Sequence, residues 1–188
     1  PKDILERAIK KGSGELEGVD FTEMRYEGYG PAGTAFIVEA VTDNKNRTAS
    51  EMRMTFSRKD GNLGADGAVS WMFKKKGIIT VKSEGIDMDE FMMAALEAGA
   101  EDVEETDGVF EVTTEYTEFQ TVLENLKNAG YQYEDAEITM ISENTVEITD
   151  LETAKKVMAL YDALEDLDDS QNVYSNFDIS DEILEQLD

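Results

Sequence analysis

The sequence predicts an α+β protein with two α/β-sandwich-like domains, the inserted one ferredoxin-like, and a short N-terminal helix. Three observations support this fold class. Short apolar segments with strand-like or helix-like spacing follow one another along the 188 residues. Turn-forming groups that contain Gly, Asn or Asp separate these segments. The segments between residues 78 and 142 follow in the order β-α-β-β-α-β, which is the order of a ferredoxin-like domain.

The first predicted element is a short amphipathic helix near the N-terminus. Asp3 can cap this helix, and Gly12 can end it. Four apolar residues share one of its faces: Ile4, Leu5, Ala8 and Ile9. A polar Gly-Ser-Gly segment follows, so we place a linker between this helix and the next element.

Two strands are predicted next, over residues 21–27 and 34–41, joined by a turn-forming cluster. The cluster, Gly28-Tyr-Gly-Pro-Ala-Gly33, spells the dinucleotide-binding pattern G-x-G-x-x-G. That pattern binds a pyrophosphate only where a helix N-terminus follows, whereas β-branched and aromatic residues follow here. We therefore interpret the cluster as a hairpin loop, which exposes Tyr26, Tyr29 or both for stacking on a base.

A helix is predicted from about residue 47 to residue 59, capped by Asn46 or Thr48. The stripe expected to be buried consists of Ala49, Met52 and Phe56. The opposite side, expected to face solvent or a ligand, consists of Arg47, Met54 and Arg58.

A Gly-rich loop over residues 61–67 and a third strand over residues 69–73 come next. Alternation along that strand puts Val69, Trp71 and Phe73 on one face, which we predict to lie in the core. The segment Lys74-Lys-Lys-Gly77 follows, and we interpret it as a hinge after which the pattern restarts.

Residues 78–147 form the predicted inserted domain. Strands are expected over residues 78–81, near Val103, over residues 109–112 and over residues 136–141. Asp107-Gly108 is a strong hairpin signal between the second and third of them. Two helices carry apolar residues at helical spacing and end at Gly99 and Gly130.

The remaining segments cannot form a domain alone. A helix is predicted over residues 151–164, a strand over residues 172–177, and a short terminal helix capped by Ser180. These elements would complete the sheet begun by residues 21–73. The predicted split domain therefore consists of residues 19–77 and 148–188, interrupted by residues 78–147.

The composition excludes most enzymatic chemistry. The chain contains no Cys and no His, so disulfides, thiolate nucleophiles and the commonest general base are absent. Carboxylates are so numerous that no pair stands out as an acid–base pair. The acidic runs over residues 101–105 and 165–169 lack the ligand spacing of a calcium loop. We therefore expect no catalytic residue, no metal site and no cofactor.

The net charge of −26 is distributed unevenly along the chain. Residues 1–82 contain 14 Lys or Arg against 12 Asp or Glu, whereas residues 83–188 contain 3 against 31. A polyanion is therefore repelled by the second part and tolerated by the first. The alternative interpretation is that the acidic part is simply a solubilising surface.

The candidate nucleic-acid-binding residues are six cations of the first part and one aromatic neighbour: Lys45, Arg47, Arg58, Lys74, Lys75, Lys76 and Tyr29. Cations along a helix face and at a strand end can each neutralise a phosphate, which gives affinity without sequence readout. From the spacing alone, an ordinary charged helix is an equally good interpretation.

Four segments of unusual composition form a collinear series: Arg25-Tyr-Glu-Gly-Tyr-Gly-Pro31, Asp43-Asn-Lys-Asn-Arg-Thr48, Gly61-Asn-Leu-Gly64 and Val69-Ser-Trp-Met-Phe73. This series resembles the signature of the YebC/PmpR family, and residues 1–12 and 164–182 extend the resemblance over essentially the whole chain. The resemblance implies a split second domain that contains an inserted third domain. It also implies an N-terminal helical domain rich in Lys and Arg, of which residues 1–18 are a remnant, so we interpret the chain as a fragment.

The resemblance further implies a non-enzymatic regulator of transcription that binds DNA near promoters. The alternative within the same family is a ribosome-associated translation factor, similar to the mitochondrial translational activators, which acts through ribosomal RNA. A basic protein is a further candidate partner, at the acidic domain. No apolar run approaches the roughly 18 residues that a membrane span needs. We expect a cytoplasmic location, or a mitochondrial one if the source is eukaryotic, and no membrane partner.

Overall fold

The computed structural model describes residues 20–187. The N-terminal helix predicted near residues 3–12, and with it the remnant domain over residues 1–18, lies outside the described residues. Ten strands lie within the described range: β1 Thr22–Tyr29, β2 Ala35–Thr42, β3 Asn62–Leu63, β4 Phe73–Lys82, β5 Asp102–Thr106, β6 Val109–Glu115, β7 Asp135–Ser142, β8 Val146–Ile148, β9 Ser170–Ser175 and β10 Phe177–Ile179. Five α-helices accompany them: α1 Lys45–Arg58, α2 Met88–Ala98, α3 Phe119–Asn128, α4 Leu151–Glu165 and α5 Asp181–Leu187.

These residues divide into two compact units. The split unit consists of residues 20–73 and 142–187, and the inserted unit consists of residues 74–141. The domain limits predicted from the sequence, 19–77 with 148–188 and 78–147, stay predictions.

The split unit is built on a four-stranded sheet in the order β3-β1-β2-β9. β1 and β2 form an antiparallel hairpin in which Tyr29 pairs with Ala35, and β9 pairs antiparallel with β2. A second, two-stranded parallel sheet joins β8 to β10. The apolar stripe of α1, which contains Met52 and Phe56, packs with residues of α4 in one core against the larger sheet. The G-x-G-x-x-G cluster is followed by the strand β2 and not by an α-helix.

The inserted unit has a four-stranded sheet in the order β5-β6-β4-β7. Its first strand thus lies between its last and its third, which is the strand order of a ferredoxin-like domain. Its own core includes Phe91 of α2 stacked on Phe110 of β6, with 4.4 Å between the ring centroids. Asp107 and Gly108 adopt φ of 49° and 80° in the hairpin turn, as the Asp-Gly signal predicts. The predicted α+β fold class with a ferredoxin-like part is confirmed.

The prediction of a strand over residues 69–73 is wrong. Ser70–Met72 forms a 3₁₀ turn, and β4 begins only at Phe73. The backbone N–H groups of Val69 and Ser70 donate to the carboxylate of Glu27 and not to a neighbouring strand. As a result Val69 and Phe73 are buried, but Trp71, which we predicted to lie in the core, is 69% exposed.

The predicted cap of the first long helix is also wrong. Asn44 caps α1, because its side-chain oxygen accepts a hydrogen bond of 3.1 Å from the backbone N–H of Arg47. The hydroxyl of Thr48 donates elsewhere, to Asp169 at 2.6 Å. Asn46 is an exposed residue within the first turn.

Candidate nucleic-acid interface

The first part of the candidate interface is the outward face of α1. Arg47, Met54 and Arg58 are exposed on it, as the helical spacing predicts. Because eleven residues are close to three helical turns, Arg47 and Arg58 lie on the same face, about 17 Å apart along the axis. Arg53, which is not among the predicted site residues, is also exposed on α1, about 120° from Arg47 around the helix axis.

Arg47 is held in place by carboxylates of its own chain. Its guanidinium donates to Asp43 at 2.9 Å and to Asp169 at 3.1 and 3.2 Å. The hydrogen bonds from Arg47 to Asp169 first, and to Asp43 second, raise the pKa of Arg47 above its ordinary value. Arg47 is therefore a structural ion-pair residue, and its remaining exposed surface is what a phosphate could contact.

Asp169 is the buried centre of this cluster, only 1% exposed. Its carboxylate accepts hydrogen bonds from Thr48 at 2.6 Å and from Thr42 at 3.5 Å, in addition to those from Arg47. Its backbone carbonyl also accepts from the N–H of Val41 at 2.9 Å. The cluster fastens the start of α1 to the end of β2 and to the segment that enters β9.

Three other cations of α1 differ from Arg47. Within residues 20–187, Lys45, Arg53 and Arg58 are exposed and form no ion pair. They extend from the first residue of the helix to its last. Because no carboxylate of the described chain neutralises them, their charges are available to an external anion.

Lys74, Lys75 and Lys76 belong to the inserted unit, in β4, whereas the other four predicted site residues belong to the split unit. The ammonium group of Lys76 donates to Glu101 at 2.6 Å and to Glu115 at 2.8 Å. The bond to Glu101 first, and the bond to Glu115 second, raise the pKa of Lys76. The ammonium group of Lys75 lies 5.2 Å from the centre of the Tyr116 ring. Lys74 and Lys75 are exposed, while Lys76 is occupied by two carboxylates.

The second part of the candidate interface is the loop after β3. Glu27 of β1 is 3% exposed, and its carboxylate accepts from the backbone N–H groups of Gly67, Val69 and Ser70 at 2.7, 3.0 and 2.6 Å. Burial by itself raises the pKa of Glu27, but these hydrogen bonds outweigh it, so the pKa lies below its ordinary value. Glu27 therefore holds this loop as an ionised carboxylate.

Two aromatic side chains are exposed where this loop meets the hairpin. Trp71 is 69% exposed and Tyr29 is 39% exposed. The indole N–H of Trp71 and the hydroxyl of Tyr29 both donate to the carbonyl oxygen of Ala68, each at 3.1 Å. Tyr26, the other tyrosine considered for stacking, is buried in the core and cannot present its ring to a ligand.

Sequence reasoning missed Glu27, Trp71 and Asp169 as members of these clusters. The partners of Glu27 lie 40 to 43 residues away, and Arg47 and Asp169 are 122 residues apart. No local pattern carries such information. The one available signal was that Glu27 and Trp71 both lie within the unusual segments quoted above.

The described residues offer cationic and aromatic surface but little else for chemistry. Between residues 20 and 187 there is no group of three or more Asp or Glu placed to hold a metal ion. None of the helices in that range is long and apolar enough to cross a membrane. The arrangement suits recognition of an anion, and of a flat ring beside it.

Known proteins resemble this chain closely. A family model described as the second and third domain of TACO1/YebC matches residues 21–177. A probable transcriptional regulatory protein from Fusobacterium nucleatum subsp. nucleatum is 94% identical over 188 residues, which are 100% of this chain and 76% of that protein. A protein of the same description from Geobacter sulfurreducens is 53% identical over 187 residues, which cover 100% of this chain and 75% of that protein.

A solved structure supports the same conclusion. The crystal structure of a conserved hypothetical protein from Aquifex aeolicus matches with a TM-score of 0.78 at 49% sequence identity. The match covers 98% of this chain and 76% of that chain. The family model, the relatives and the fold agree, and the chain belongs to the TACO1/YebC family.

Proposed function

We propose that this chain is a non-enzymatic regulator that binds DNA through the exposed cations of α1. The observation that carries the proposal is the set of cations on this helix that no carboxylate of the described chain neutralises, Lys45, Arg53 and Arg58. Relatives named probable transcriptional regulatory proteins support a role in transcription. The absence of Cys and His from the whole sequence supports binding and not catalysis.

The contact would be to phosphates. The roughly 17 Å between Arg47 and Arg58 corresponds to about five base-pair steps along a duplex axis at about 3.4 Å each. Cations at this spacing give affinity and position but no direct sequence readout. Lys45, Arg47 and Arg58 are the proposed phosphate contacts, with Arg53 added, and Arg47 would share its guanidinium between Asp169 and the phosphate.

Lys74, Lys75 and Lys76 are proposed as secondary contacts of the inserted unit. Lys76 is already bound to Glu101 and Glu115, so Lys75 would contribute more than Lys76. Apart from these lysines the inserted unit is strongly acidic, and we propose that its acidic surface faces away from the polyanion or contacts a basic protein.

The test is a titration of a duplex of about 20 base pairs with the 188-residue chain at several salt concentrations. The variant carries Lys45→Ala and Arg58→Ala, two substitutions that break no ion pair of the described chain. Each lost phosphate contact should reduce the magnitude of the salt slope by about 1, so the double variant should lose about 2. Affinity should fall equally for unrelated duplex sequences.

The matched control removes two positive charges from another helix of the same unit, by Lys155→Ala and Lys156→Ala on α4. Both lysines are exposed. If this control and the α1 variant have the same affinity and the same salt slope, the α1 face has no specific role. If the unmodified chain binds no duplex at low salt, DNA binding itself is excluded.

The second candidate function is association with ribosomal RNA. One observation favours it over promoter DNA: Trp71 and Tyr29 expose aromatic rings on the split unit, where unpaired bases could stack. Duplex DNA keeps its bases stacked inside the helix, whereas RNA loops present them. Co-sedimentation of the chain with ribosomes at moderate salt, compared with retention on duplex DNA, separates the two candidates.

A further inference from the structure

Trp71 is the only tryptophan of the chain, and its exposure is built into the fold. Its neighbours at positions 69 and 73 are both buried, so the turn between them must project outward. The side-chain amide of Asn176 donates to the sulfur of Met72 at 3.6 Å and to the carbonyl of Asn144 at 2.7 Å. The turn is thus fixed on its C-terminal side.

The other side of the turn is fixed by Glu27. Three backbone N–H groups, from Gly67 to Ser70, converge on its buried carboxylate, and the N–H of Gly64 donates to its backbone carbonyl at 2.8 Å. Hydrogen bonds to an ionised acceptor are about twice as strong as neutral ones. The loop therefore holds Trp71 in one position before any ligand arrives, which lowers the entropic cost of binding.

The hydrogen-bonding groups of both exposed aromatics already have a partner. The indole N–H and the Tyr29 hydroxyl donate to the same carbonyl oxygen of Ala68. What Trp71 offers to solvent is therefore its apolar face and not a donor. An exposed, immobilised indole face favours a flat, polarisable ligand that stacks on it.

The surroundings indicate what that ligand carries. Tyr29 pairs with Asn62, which is exposed and follows Arg58 at the end of α1 by four residues. The end of α1 that carries Arg58 is thus connected by a short turn to the strand that pairs with Tyr29. A ring attached to a phosphate chain matches this combination of cation and aromatic pair, and a neutral apolar peptide does not.

We infer that Trp71 and Tyr29 form a stacking platform for an unpaired base of a single-stranded nucleic acid, with Glu27 as the positioning residue of the loop. This inference rests on the proposed binding of nucleic-acid phosphates by α1. It adds a substrate class, because a platform of this kind selects bases that are not stacked inside a duplex. Trp71 supplies the stacking surface, and Tyr29 lies beside it on the shared Ala68 carbonyl.

The sole tryptophan provides the readout. The 188-residue chain is titrated with a single-stranded RNA of about 12 nucleotides, and Trp71 fluorescence and the anisotropy of labelled RNA are followed together. The RNA should quench Trp71 at the same concentration at which it binds. Trp71→Ala should weaken binding roughly tenfold, whereas Trp71→Phe should restore most of it. Tyr29→Ala keeps the tryptophan and should reduce both affinity and quenching.

Two controls address folding and specificity. Tyr133→Ala removes a tyrosine of the inserted unit that is as exposed as Tyr29, 38% against 39%, and should leave RNA binding unchanged. Circular dichroism and urea midpoints of each variant should match those of the unmodified chain. An equal loss of affinity in the Tyr133 variant would overturn the assignment to this platform.

Further oligomers separate this inference from the proposed function. An abasic phosphodiester oligomer of the same length should bind weakly, without quenching, and with no effect of Trp71→Ala. If the abasic oligomer binds as tightly as the RNA, the platform is excluded while phosphate binding by α1 stands. If neither binds but duplex DNA does, the platform fails and the proposed function stands; if the duplex does not bind either, both proposals fail. Equal quenching by the duplex form would exclude selection of unpaired bases.

Discussion

Asp169 is the residue on which the start of α1 depends most. Its buried carboxylate receives the Thr48 hydroxyl at 2.6 Å and two contacts from the Arg47 guanidinium. Asp169→Ala leaves these donors without their acceptor, and hydrogen bonds to a charged group contribute about 1.5 to 3 kcal/mol each. Arg47 is partly exposed and can donate to water after the substitution. We therefore expect the free energy of unfolding to fall by about 3 kcal/mol, which is less than the sum of the lost hydrogen bonds. Urea unfolding followed by Trp71 fluorescence measures it.

The control for this prediction is the other carboxylate that binds Arg47. Asp43 forms an ion pair with Arg47 at the surface, four residues away. Asp43→Ala should cost less than about 0.5 kcal/mol, since exposed pairs at this spacing contribute little. Equal losses for the Asp43 and Asp169 variants would show that burial of Asp169 does not matter.

Glu27 gives the split unit a predictable dependence on pH. Its pKa in the folded protein lies below its ordinary value of 4.5, so the unfolded chain takes up the proton first as the pH falls. The stability that Glu27 contributes is therefore complete above about pH 4.5 and is lost as the pH falls through the folded pKa. The difference in unfolding free energy between the unmodified chain and Glu27→Gln should be constant above that pH and shrink below it.

The Gln variant makes this prediction independent of the many other carboxylates, because they titrate equally in both proteins. Urea unfolding at several pH values between about 3 and 7 is sufficient. A difference that grows on acidification would contradict the assignment of Glu27 as the ionised anchor of the loop.

At the scale of elements, the G-x-G-x-x-G cluster has a packing explanation. A Cβ on Gly28 would lie 2.6 Å from the carbonyl oxygen of Asn62 and 2.7 Å from the ring of Phe56. Gly28 thus lets β3 and α1 approach β1 closely. Gly28→Ala should destabilise the split unit by about 3 kcal/mol, since neither the strand backbone nor a buried ring can give way cheaply.

Gly33, in the same cluster, is the matched control. Its φ is +74°, and a Cβ there would meet nothing within 4 Å. Gly33→Ala should cost only about 1 kcal/mol, the penalty of a left-handed conformation. If the two alanine variants have equal urea midpoints, close packing at Gly28 is not the reason for the glycine.

Element positions could be predicted from the sequence wherever the pattern is local. The hydrophobic spacing of Met52 and Phe56 identified α1, and Asp107-Gly108 identified the hairpin turn. Prediction failed at residues 69–73, where alternation suggested a strand. There a distant carboxylate, Glu27, takes the backbone donors that a strand would need. The exposed cations of α1 could be predicted from the same local helical spacing that identified the helix. The exposure of Trp71 could not be predicted, because no local spacing indicates it.

At the scale of the whole molecule, the charge division of the sequence does not coincide with the division into units, because residues 142–187 of the split unit contain 13 Asp or Glu against 2 Lys. The 14 Lys and Arg of residues 1–82 include those of α1, and all 17 Asp and Glu of the inserted unit lie after residue 83. Net charge along the chain is a property that sequence gives directly. The sequence does not show which cations form ion pairs within the chain, because the carboxylates that bind Arg47 and Lys76 come close to them only in the folded protein.

The carboxylates on β5 and β6 of the inserted unit should repel nucleic acid through the solvent without touching it. Glu104 and Glu111 lie directly opposite each other on β5 and β6, and both are exposed. Replacing both with Gln removes two negative charges and a repulsive cross-strand pair, so the fold should be unharmed. We expect faster association with RNA or DNA at about 0.02 M salt, where repulsion between charges acts at long range. At about 0.3 M salt we expect no change in the association rate, because salt then screens charges that lie more than a few ångströms to about 10 Å apart.

Stopped-flow association rates at the two salt concentrations measure this effect, with Glu104→Asp and Glu111→Asp as the charge-preserving control. That control should behave like the unmodified chain. If the Gln variant instead changes the dissociation rate, and does so equally at both salt concentrations, the sheet face of the inserted unit must contact the nucleic acid directly. Phosphates would then lie against a carboxylate-rich surface, and the cationic face of α1 could not be the principal binding site.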